Sequence, residues 1–157
     1  MISTESAMKI ERLRELWPAM VDHCATAAEI DDDFPYNFDS AVFHFENFPE
    51  FDFARELLAQ AKGTRHRYRE MVTRPRFRDA WESVRAIESA VASVLTDDEW
   101  PARRDASHIL SQSTKRHGWY FRAVSVGHMS RNTAAVEAAA EFLKGFGFSA
   151  GVYYRLD

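Results

Sequence analysis

Trp119-Tyr120-Phe121-Arg122-Ala123-Val124-Ser125-Val126 alternates as a β-strand, and the stretch that follows it, Ser130 to Lys144, does not. In that second stretch Ala134, Ala138 and Ala139 are small enough for close packing, and Phe142 and Leu143 supply apolar anchors, so the spacing predicts a helix. Gly145 stands where a left-handed C-cap is expected. Val152 to Leu156 then alternates again. Strand, helix and strand in succession predict a β-α-β unit, with a right-handed crossover if its strands are parallel.

Working outward from that unit, the N-terminal half reads differently. A helix starts near Thr4, and Met8, Ile10, Leu13, Leu16, Trp17, Met20, Val21 and Cys24 recur at three- and four-residue steps. Pro18 falls inside this pattern, where it is expected to kink the helix or begin a second one. Asp31 to Pro35 reads as a loop. Ala41 to Glu46 reads as a strand with Phe43 and Phe45 on one side and His44 and Glu46 on the other. A helix from about Phe53 to Ala61 follows, with a further helical stretch through Val72. Phe77, Trp81, Val84, Ile87, Val91 and Leu95 then mark the clearest amphipathic helix. Thr96-Asp97-Asp98-Glu99 has the capping-box pattern, opening a helix through about Ser113. The expected class is α+β: N-terminal helices with one aromatic strand, a central helical hairpin, and the C-terminal β-α-β unit on a small three-stranded sheet. Residues 1–157 read as one domain.

Lys144-Gly145-Phe146-Gly147-Phe148 resembles the opening of the RNP1 motif of RNA-recognition-motif domains, whose aromatic residues stack on RNA bases. Ser149 and Gly151 stand where that motif has an aliphatic and an aromatic residue. The glycines therefore read as a helix C-cap leading into a strand.

With 46% apolar and 28% charged residues, the composition is that of a globular protein large enough to bury a core without disulfides or metals. One cysteine, Cys24, excludes an internal disulfide and suits a reducing compartment. Met1 to Ile10 carries Glu5 and Lys9 with no apolar block, and no run approaches the ~18 apolar residues of a membrane span. A cytoplasmic protein without a membrane partner is expected.

The formal charge of −4 conceals a division. Residues 1–54 hold 3 basic and 12 acidic side chains, a balance of −9; residues 55–157 hold 17 basic and 12 acidic, a balance of +5. Eight acids and eight aromatic residues lie between Glu29 and Phe53, with no Lys or Arg. One expectation follows from this segment: a non-catalytic binding protein, of the small phage-type inhibitor kind, that mimics nucleic acid. It would present Asp31, Asp32, Asp33, Tyr36, Asp39, Glu46, Glu50 and Asp52 to the basic site of a larger protein. The alternative is a nucleic-acid-binding module using the run from Lys62 to Arg78. There Arg65, Arg67, Arg69, Arg74, Arg76 and Arg78 offer guanidinium forks to phosphates, and Tyr68 offers a ring to a base. Both give way to a plainer reading if the two charged blocks neutralise one another.

Catalytic and metal chemistry find little purchase. No GxSxG elbow, phosphate-binding loop or dinucleotide fingerprint occurs, and His23, His44, His66, His108, His117 and His128 form no ligand pair. No enzyme activity, cofactor or metal is expected.

Overall fold

The computed structural model describes residues 2–30, 39–52, 74–95, 103–104, 118–121 and 130–154. Its first element, α1 (Thr4–Ala27), opens on Ser3, whose hydroxyl accepts from the Ser6 amide at 3.2 Å and satisfies one orphan donor. Ser6, Ile10, Leu13, Leu16, Met20 and Cys24 form the buried face. Met8, expected on that face, is 67% exposed, because it stands two residues from both Ser6 and Ile10 and so on the far side of the helix. Nor does Pro18 start a second helix: α1 runs through it. Pro18 is exposed, so the hydrogen bond it deletes lies toward solvent, while Leu16 and Met20 on the opposite side hold the helix to the core.

Strand β1 (Ser40–His44) is shorter than its alternation suggests, since Phe45–Asn47 turns as a 3-10 helix and a helical segment follows at 49–52. Asn47 explains the early end of the strand. Its Nδ2 donates to the carbonyls of His44 and Ser149, at 2.7 and 2.8 Å, and its Oδ1 accepts from the Ser149 amide at 2.7 Å. The turn thereby places Phe45, Phe48 and Phe51 on the core side with Phe43. Their rings surround Trp119 at centroid distances of 4.8, 5.8, 5.5 and 5.9 Å respectively.

Helix α2 (Pro75–Val94) has Pro75 in its first turn, and Val84, Ile87, Val91 and Leu95 are buried as their spacing predicts. The rest of the expected central hairpin lies outside the described residues, as do the Asp31 to Pro35 loop and the Thr96 capping box.

The remaining elements are β2 (Arg103–Arg104), β3 (Gly118–Phe121), α3 (Ser130–Gly145) and β4 (Ala150–Tyr153). The sheet has the order β2-β3-β1-β4 and is antiparallel throughout. The expected α+β architecture is therefore present, with three main strands and the two-residue β2 at one margin. One detail differs. β3 and β4 do run parallel, but each pairs with β1, which lies between them: Phe43 faces Trp119 on one side and Ala150 on the other. The unit is a split β-α-β. β1 takes the centre because Ala41, Val42 and Phe43 are all buried, on both faces of the sheet. Gly118 permits the close approach of β3, since a Cβ there would stand 2.1 Å from the Phe43 carbonyl oxygen.

Helix α3 packs on β1 and β4 and, most extensively, on α1, burying Ala135, Val136, Ala139 and Leu143. Its end corrects the position of the left-handed residue. Gly145 is the last helical residue, and Gly147 carries the positive φ of 86°. The Phe148 amide donates to the Leu143 carbonyl and the Gly147 amide to that of Lys144, both at 3.0 Å, a Schellman closure. Phe148 is buried against Phe43, so this Gly-Phe-Gly-Phe segment is a cap whose second ring belongs to the core.

Candidate functional site

The acidic residues singled out from the sequence separate into different environments. Asp39 is only 3% exposed. Its Oδ2 accepts from the Thr133 hydroxyl at 2.7 Å, and its carbonyl accepts from Asn132 Nδ2 at 3.0 Å. It thus holds the start of β1 to the first turn of α3, at the end of the helix that favours an anion. Glu50 also turns inward. Oε1 accepts from the Ser3 amide at 2.8 Å and Oε2 from the Ser6 hydroxyl at 2.5 Å, tying segment 49–52 to the N-terminus of α1. Partial burial raises the Glu50 pKa, but the hydrogen bonds from Ser6 and Ser3 outweigh it, so the carboxyl titrates below its ordinary range.

Glu46 and Asp52 remain on the surface. Glu46 accepts from the Ser149 hydroxyl and stands 3.7 Å from His44 Nδ1, which is itself 2.8 Å from Ser149 Oγ. The serine therefore lies between imidazole and carboxylate. The cluster joins the end of β1 to the residue that precedes β4. Asp31, Asp32, Asp33 and Tyr36 lie outside the described residues. Of the aromatic anchors expected beside these acids, Phe43, Phe45, Phe48 and Phe51 are all in the core.

Among the described residues no three His, Cys, Asp or Glu side chains gather as for a metal. Cys24 is buried, and desolvation pushes its thiol up to about 12, well away from reactivity. No helix among the described residues is long and apolar enough to cross a membrane.

The basic residues behave differently on two helices. Every Lys and Arg of α1 has a partner on its own helix: Lys9 with Glu5 at 2.9 Å, Arg12 with Glu15 at 3.5 Å, and Arg14 with Glu11. On α2 and its N-cap, Arg74, Arg78 and Arg85 are exposed, and no ion pair among the described residues includes them. Arg78, Trp81 and Arg85 recur at steps of three and four residues, which confines them to about 60° of helix circumference and about 10 Å of length, and Arg74 is the N-cap one turn before Arg78. Trp81 is half-buried, and the Arg85 guanidinium lies 5.9 Å from its ring centroid. Glu82 and Asp79, also exposed, follow at about 40° and 100° beyond Arg78 around the helix.

Arg76 falls within α2, while Arg65, Arg67, Tyr68 and Arg69 lie outside the described residues. Reading the basic segment as a run ending at Arg78 omitted Trp81 and Arg85. The 74-78-81-85 spacing was the signal for them, obscured because Trp81 also fits the apolar face. No family model matches the chain, and no curated protein or solved structure matches it either.

Proposed function

We propose that this chain is a non-catalytic nucleic-acid-binding module whose phosphate-contacting face is built on α2. The supporting observation is the exposed arc of Arg74, Arg78 and Arg85, without ion-pair partners among the described residues. Of these, Arg74 and Arg78 are like charges four residues apart, a mildly destabilising spacing. Guanidinium forks match phosphate oxygens, and the first turn of α2 has no acid to offset its positive dipole end beside Arg74. In sequence the basic run includes Arg69, Tyr68, Arg67 and Arg65 before Arg74.

The test is fluorescence anisotropy with labelled oligonucleotides over a range of salt concentrations. Replacing Arg74, Arg78 and Arg85 together by Ala is expected to lower affinity more than about tenfold and to flatten the log–log salt slope by about 2. Binding with an unaltered slope would sink the proposal.

A second reading keeps the acidic docking surface and has its own support. Asp22 and Glu29 are exposed at the C-terminal end of α1, whose last turn has no basic residue, and the chain continues into Asp31, Asp32 and Asp33. Carboxylates at the negative end of a helix dipole cost stability, so a partner is the better reason for them. The partner would be a larger protein with a basic surface, met as an inhibitor would meet it. Asp31→Lys with Asp33→Lys should abolish binding to a basic protein while leaving nucleic-acid affinity undiminished. Both readings are set in the cytoplasm, in keeping with a single reduced, buried cysteine.

A further inference from the structure

We draw no further inference here: the strongest candidate, the surface patch at the seam of α1 and α3 where the Arg12 guanidinium lies over the exposed Phe146 ring and that ring meets Phe142, is an apolar face, and nothing in the structure shows what covers it.

Discussion

Residues 39–52 and helix α2 are both charge-rich and aromatic in sequence, yet the fold treats their charges in opposite ways. In 39–52 the acids alternate with phenylalanines that the core demands. Burying Phe43, Phe45, Phe48 and Phe51 carries Asp39 and Glu50 to positions where backbone amides, hydroxyls and a helix end receive them. In α2 the apolar residues Val84, Ile87, Val91 and Leu95 share one side, so the arginines are carried away from the core. Charge density alone does not mark a docking surface. What matters is whether the intervening hydrophobic residues alternate with the charges or segregate from them.

The comparison can be broken most forcefully at Phe45. Phe45→Ala is expected to cost about 4 kcal/mol, measured by urea unfolding, because its ring stacks on Phe51 and abuts Trp119 in a fully buried cluster. A loss below about 1 kcal/mol would mean that the cluster does not organise the acids. Asp39→Ala should cost about 2 kcal/mol, since it removes the acceptor for the Thr133 hydroxyl at the start of α3. An unchanged midpoint would return Asp39 to the set of surface acids.

Glu50→Gln is the milder version of the same test, with an expected loss of about 1 kcal/mol at neutral pH. Its pH dependence has a definite sign. The folded pKa lies below the unfolded one, so the carboxylate's contribution is complete above the unfolded value and is lost as pH falls through the folded value. Wild type should therefore lose stability more steeply than Glu50→Gln in the acid range below the ordinary glutamate pKa of 4.5. Parallel curves would show that Glu50 is solvated. The smallest effect is expected on α2, where replacing Arg74, Arg78 and Arg85 by Ala should change stability by no more than about 0.5 kcal/mol while binding collapses. A destabilisation comparable to that of Asp39→Ala would identify the arginines as structural and remove the contrast.

Several of these features were legible before any fold was known. The periodicity of Val84, Ile87, Val91 and Leu95 requires a helix with one buried side, and the Ser130 to Lys144 pattern requires another. Alternation at Phe43 and at Trp119 announces strands, and the division of charge between the two parts of the chain is plain arithmetic. Local spacing settles such matters because backbone geometry repeats every two or 3.6 residues.

The centre of the sheet was decided elsewhere. That β1 sits between β3 and β4 depends on residues about eighty and one hundred and ten positions away, at Trp119 and Ala150, and on the missing side chain at Gly118. The fate of each charge was decided there too. Asp39 meets Thr133, Glu50 meets Ser3 and Ser6, and Arg78 meets no carboxylate among the described residues. A charged side chain's role is set by what the folded chain brings within hydrogen-bonding reach, and a one-dimensional pattern does not contain that distance.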